Sequence, residues 1–208
     1  MKIITLTRND NLAANCYILV CDGTYSIIDP SVGYKSAVEK YPELLSLSAK
    51  HVILTHAHID HMWEIESYVA RGGKVLVSNL DADKLADPIK NCAFLIKGNI
   101  NAYKGEYDVL KDGDTVNIGE QYLTVLLTPG HTSGSICLMG ENFGFTGDTL
   151  FEGGGYGRYD LPTGNRQDLL SSLEKLLKYP DEFIIYPGHA SASTIKETKK
   201  YFCFKERG

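Results

Sequence analysis

Three of the chain's six histidines lie within six consecutive positions, in the stretch "THAHIDH" from Thr55 to His61, directly after the apolar burst "HVILT". A short apolar burst bounded by polar residues reads as a buried strand, so the cluster falls at a strand's carboxyl end. Side chains two apart on extended chain point the same way, which lets His56 and His58 converge on one ion. Asp60 and His61 open the periodic segment "DHMWEIESYVAR", read as one helix ending at Gly72-Gly73. The turn into that helix aims them at a second ion. The cluster therefore reads as two half-sites.

Each half-site lacks ligands, and His131 and His189 lie where the missing ones are needed. Both follow a Pro-Gly pair after a strand, in "LLTPGH" and "IIYPGH". Such a turn aims a side chain over the strand end, where ligands bind in layered α/β folds. Asp148, in "FTGDTLF", is presented in the same way, and its two oxygens suit a bridge between two ions. A single histidine at a strand end is more often an ordinary hydrogen-bonded group, and Asp60 and Asp148 have alternative readings as a helix cap and a turn residue. Five of six histidines at strand-end turns is a different matter, and points to metal.

The remaining segments supply a scaffold. "KIITLT", "NCYILV" and "YSIID" read as an opening meander, and "YKSAVEKY" as a short helix stopped by Pro42. "KVLVS" completes a strand–helix–strand unit with "HVILT", expected to cross over right-handed. Residues 79–108 have no clear period beyond a short helix in "NLDADKLADP". Strands resume as "TVNI", "QYLTVLLT", "SICLMG" and "FGFTG". The leucine-rich "RQDLLSSLEKLL" reads as a helix capped by Asn165, followed by the strand "FIIYP" and a last helix in "TIKETKKYFCF". Residues 16–29 and 135–148 are both strand–turn–strand units of equal length closing on an aspartate, Asp29 and Asp148. This echo predicts two similar halves with a site between their strand ends.

The chain's 208 residues suit a single domain over 1–208, and its 43% hydrophobic and 23% charged content excludes disordered and fibrous classes. No apolar run approaches the ~20 residues of a membrane helix. The first 20 residues read as strands rather than a signal peptide, so the expected location is cytoplasmic. Cys16, Cys21, Cys92, Cys137 and Cys203 are scattered and odd in number, and are read as reduced. A formal charge of −5 without a basic, aromatic-interleaved cluster argues against a nucleic acid partner. Oligomeric state is not legible.

"THAHIDH", "PGHTSGS", "GDTLF" and "PGH", in this order, resemble the metallo-β-lactamase fold superfamily, most closely its glyoxalase II-like hydrolases in a short form without the C-terminal helical domain. The resemblance implies a four-layer αβ/βα sandwich of two similar halves. It also implies that His56, His58 and His131 bind one metal, that Asp60, His61 and His189 bind the second, and that Asp148 bridges them. The implied cofactor is two Zn²⁺, with Fe or mixed metals as the alternative.

Two such ions, two aspartates and a bridging hydroxide leave a centre of about +1, attractive to a small anionic substrate. Metal brings the pKa of bound water from ~15.7 to near 7, so hydroxide attack on a thioester or ester carbonyl is the expected reaction, with Asp60 orienting the nucleophile or taking its proton. Arg158, in the glycine-rich loop "FEGGGYGRYDLPTGN", is a candidate clamp for a substrate carboxylate or a partner for Asp160. Tyr156 is a second candidate substrate contact. "ASAST" follows the last "PGH" where glyoxalase II has Glu-Tyr-Thr, which removes a tyrosine used for glutathione. The competing reading is a mononuclear Fe²⁺ persulfide dioxygenase using His56, His131 and Asp148.

Overall fold

The computed structural model describes residues 1–8, 12–96 and 102–202, in which two six-stranded sheets stack face to face between two outer layers of helices. The first sheet has the order β1 (Lys2–Leu6), β2 (Cys16–Cys21), β3 (Thr24–Ile28), β4 (Ser48–Ile53), β5 (Lys74–Ser78), β6 (Asp108–Leu110). The second runs β7 (Thr115–Ile118), β8 (Gln121–Leu127), β9 (Ile136–Met139), β10 (Phe143–Gly147), β11 (Ile184–Pro187), β12 (Ser193–Thr194). The helices are α1 (Tyr34–Lys40), α2 (Ile59–Met62), α3 (Ile65–Val69), α4 (Arg166–Leu176) and α5 (Ile195–Lys199).

The period of two along a strand builds the layers. In β2, Tyr17 and Leu19 face the second sheet, where they join Val125, Leu138 and Phe145 in the central core. Cys16 and Ile18 face the opposite way, into the layer formed by Met62, Ile65 and Tyr68 of α2 and α3. Strands buried on both faces read as continuous apolar runs, which is why "CYILVC" shows no alternation of hydrophobic and polar residues. On the far side, Leu169, Leu173 and Leu176 of α4 pack on Cys137, Met139 and Ile185. Truncating one of these leucines to alanine costs about 2–5 kcal/mol. Asn165 caps α4 as expected, accepting from the Gln167 and Asp168 amides.

The internal echo is structural. β2–β3 and β9–β10 are both antiparallel hairpins, and in each half the second strand has a parallel neighbour, β4 or β11, reached through a helix, α1 or α4. Asp29 and Asp148 stand one residue beyond equivalent strands.

Three local expectations differ from the structure. The single helix expected from Asp60 is broken: Glu64 leaves helical geometry and donates its N–H to Pro30 O, 2.8 Å away, so α2 and α3 are separate. The tertiary bond overrides propensity, and the short α2 turns Asp60 and His61 toward the strand ends. "NLDADKLADP" forms only a 3₁₀ turn, Ala82–Lys84. The last helix ends at Lys199, and Cys203 with the rest of 203–208 lies outside the described residues, as do residues 9–11. The other four cysteines are free and buried. Among the described residues no helix is long and apolar enough to cross a membrane.

Candidate metal centre

All seven side chains singled out as ligands converge at the carboxyl ends of β4, β10 and β11 and the loop after β8. His56, His58 and His131 form one group, Asp60, His61 and His189 another, and His56, His61 and Asp148 a third that joins them. Asp148 reaches both sides: Oδ2 lies 3.5 Å from His131 Nε2 and 3.6 Å from His189 Nε2, and Oδ1 lies 3.3 Å from His61 Nε2. The N-cap of α2 is His58 rather than Asp60, which lies in the first turn with its Oδ2 3.2 Å from His189 Nε2.

The hydrogen-bond partners determine which ring nitrogens carry lone pairs. His131 Nδ1 lies 2.6 Å from the Arg158 carbonyl, which only accepts, so Nδ1 holds the proton and Nε2 turns inward bare. Thr55 Oγ1 donates to Asp29 Oδ2 at 2.7 Å and therefore accepts from His56 Nδ1 at 3.2 Å, again leaving Nε2 bare. Both bare nitrogens face His58 Nδ1, at 3.1 Å from His56 and 2.8 Å from His131. A single proton on His58 cannot satisfy both. His58 Nε2, His61 Nε2 and Asp148 Oδ1 are buried without a hydrogen-bond partner among the described residues. Such a set of inward lone pairs and carboxylate oxygens fits divalent cations.

Charge follows the same plan. Burial pushes His56 well below the usual histidine range and, with neighbouring His131, pushes His58 down to about 3, so both rings stay neutral and able to ligate. Burial alone would lower His61 too, but the Asp29, Asp148 and Asp60 carboxylates outweigh it and raise its pKa. His189 is likewise raised, by Asp60 and Asp148 against burial. Burial would raise Asp148 and Asp60, yet the adjacent histidines hold both below the usual carboxylate range.

A sequence model of the metallo-beta-lactamase superfamily matches residues 9–189. The chain belongs to that superfamily. Within it, the chain is 32% identical over 193 residues to the hydroxyacylglutathione hydrolase GloC of Haemophilus influenzae, covering 89% of this chain and 90% of that one. The solved B3 metallo-beta-lactamase BLEG-1 superposes with a TM-score of 0.83 at 29% identity, covering 96% of each chain. TTHA1623, solved in a di-iron-bound form, superposes with a TM-score of 0.82 at 26% identity, covering 97% of this chain and 98% of that one.

Two supporting residues escaped the sequence reading of this superfamily member. Asp29 accepts the Thr55 amide and hydroxyl and lies 2.9 Å from His61 Nδ1, so it orients rings in both groups. Asp81 Oδ2 accepts from the Ala57 amide, between His56 and His58, and from Thr132 Oγ1, beside His131, both at 2.9 Å. Its Oδ1 pairs at 2.8 Å with the buried Lys84 ammonium. The aspartate closing the hairpin echo was a signal for Asp29; for Asp81 the sequence carried none.

The centre opens on a cavity of about 330 Å³ that Tyr156 and Arg158 also line. The Arg158 guanidinium, however, makes two 2.7 Å bonds to Asp160 at the surface, and the residue meets the metal centre through its carbonyl instead. Two glycines provide close approach: a Cβ at Gly157 of the glycine-rich loop would lie 2.7 Å from His131 Nδ1, and one at Gly188 of the last Pro-Gly pair 2.7 Å from His61 Cε1.

Proposed function

We propose that this protein, read as one domain over residues 1–208, is a metal-dependent hydrolase of a small thioester or ester. His56, His58 and His131 would hold one ion, Asp60, His61 and His189 a second, and Asp148 would bridge them; Zn²⁺ is the ion the reading favours. The observation that carries it is the donor set: inward histidine lone pairs beside a carboxylate that touches both groups, opening on one cavity. The likeness to GloC, a hydrolase by name, supports the thioester class.

Divalent ions held there would lower the pKa of bound water toward 7 and polarise a carbonyl, which makes a protein nucleophile unnecessary. Asp60, whose Oδ2 faces His189 at the cavity wall, is placed to hold the proton that water gives up and pass it to the leaving thiolate or alkoxide. One C–O bond forms, one C–S or C–O bond breaks, and nothing is oxidised or reduced. Asp29, through His61 and Thr55, and Asp81, through the loops at Ala57 and Thr132, keep the histidines in register. The cavity is sized for a small molecule rather than nucleic acid.

The test is turnover of a panel of acyl thioesters and esters by protein purified without chelator. Hydrolysis abolished by chelation, restored by Zn²⁺ and lowered about 10²–10⁴-fold by Asp60→Asn supports the reading. Failure of every member overturns it. The di-iron form of TTHA1623 supports iron as the metal without favouring one ion over two; the mononuclear iron alternative at His56, His131 and Asp148 has oxygen consumption with a persulfide substrate as its signature.

A further inference from the structure

The cavity is lined by two unlike sets of residues. One is the ligand set described above. The other is apolar, Ile59, Leu95, Ile96, Phe151 and Leu161 together with Leu12, and it adjoins the ligands, the Phe151 and His189 ring centroids lying 6.0 Å apart. Leu12 and Leu95 are 61% and 56% exposed, and Phe94, next to Leu95, is 57% exposed. Large side chains are ordinarily left in water only singly; a group of them rimming a concave polar site marks a surface that a ligand covers.

The charges lining the cavity point the same way. Among the described residues its cationic side chain, apart from the histidines, is Arg158, whose guanidinium is held by both oxygens of Asp160. Asp60 and Asp148 are the lining carboxylates, and both belong to the ligand set. A charged substrate tail lying along the apolar wall would lose water and gain no partner.

We infer that the substrate presents an apolar, uncharged acyl group to this wall, seated on Ile59, Leu95, Phe151 and Leu161 while its carbonyl faces the ligand set. The inference rests on the hydrolase reading for the position of the carbonyl, and on the cavity wall for the chemistry of the group beside it. It assigns selectivity to the acyl chain and leaves the leaving group outside.

The experiment uses N-acetylcysteamine thioesters with acetyl, butanoyl, hexanoyl and succinyl groups, together with thioether analogues in which CH₂ replaces the carbonyl. The analogues are titrated by calorimetry into the protein as purified, and the thioesters are assayed for turnover. Affinity and kcat/KM are expected to rise roughly fourfold for each methylene the wall covers, with the succinyl compound no better than the acetyl. Leu95→Asn, at a half-exposed position where folding tolerates a polar group, should flatten the series. A flat series in the unaltered protein, a preference for succinyl, or no binding of any analogue overturns the inference. Binding that follows chain length without hydrolysis of any thioester overturns the hydrolase reading and leaves the apolar site standing.

Discussion

Asp29 and Asp148 end equivalent strands of the two halves and reach opposite nitrogens of one imidazole, Asp29 Oδ2 at 2.9 Å from His61 Nδ1 and Asp148 Oδ1 at 3.3 Å from His61 Nε2. One aspartate of the pair faces the cluster of candidate ligands; the other stands behind the ring and sets which nitrogen carries the lone pair. The duplicated architecture has thus put the same residue type at equivalent strand ends and divided the work between them.

Asp29→Asn should keep the shape while removing the charge and one of the two acceptor oxygens. Asparagine tolerates the positive φ of 52° found there, so the backbone is not the variable. Loss of the charge that orients His61 and, through Thr55, His56 is expected to weaken metal affinity about 10–100-fold. Competition with a chelating dye measures it, and unchanged affinity would remove Asp29 from the site.

Asp81→Asn should act on the fold and the centre together. It takes from the Lys84 ammonium, 1% exposed, its buried counter-charge at 2.8 Å and leaves only the exposed Asp83 carboxylate at 3.5 Å, at a cost toward the lower end of about 3–5 kcal/mol in denaturant unfolding. Pairing it with Lys84→Met should recover stability but not metal affinity, because the bonds to Ala57 and Thr132 stay weakened. Equal recovery of both would show that Asp81 serves stability alone.

Lowering pH should release the ions in order. The raised pKa values of His61 and His189 mean that protons compete with metal there above the ordinary histidine value of about 6.5, whereas His58, near 3 in the fold, resists protonation. Dialysis in steps from pH 8 to pH 5 followed by elemental analysis should show metal content falling in two steps, one ion lost at a higher pH than the other, the first step assigned to the Asp60–His61–His189 group. Simultaneous loss of both would contradict the assignment.

Arg158→Ala should leave metal content unchanged and shift stability by less than about 1 kcal/mol, because its ion pair with Asp160 is exposed and its tie to His131 runs through the backbone carbonyl. A large rise in KM with an anionic substrate would instead restore the guanidinium as a clamp.

The ligands were legible because histidine is scarce in this chain and its positions follow the punctuation of strands and Pro-Gly turns. The hairpin echo was legible because both units keep their length and closing residue. What escaped depends on distance in the chain. Asp29 meets Thr55 across 26 positions and Asp81 meets Thr132 across 51; the hairpin echo marked Asp29 as a strand-end residue without marking its partner, and nothing local marked Asp81. The break at Glu64 is decided by the Pro30 carbonyl rather than by helix propensity. The apolar cavity wall draws Cys92, Leu95 and Ile96 from the segment whose sequence had no readable period.

Metal content is the most direct test of the central claim. Elemental analysis of protein purified without chelator, under nitrogen and with no metal added, should give close to two divalent ions per chain, falling to one or fewer in His58→Ala. One ion or none in the unaltered protein, or an undiminished content in His58→Ala, would contradict the dinuclear centre.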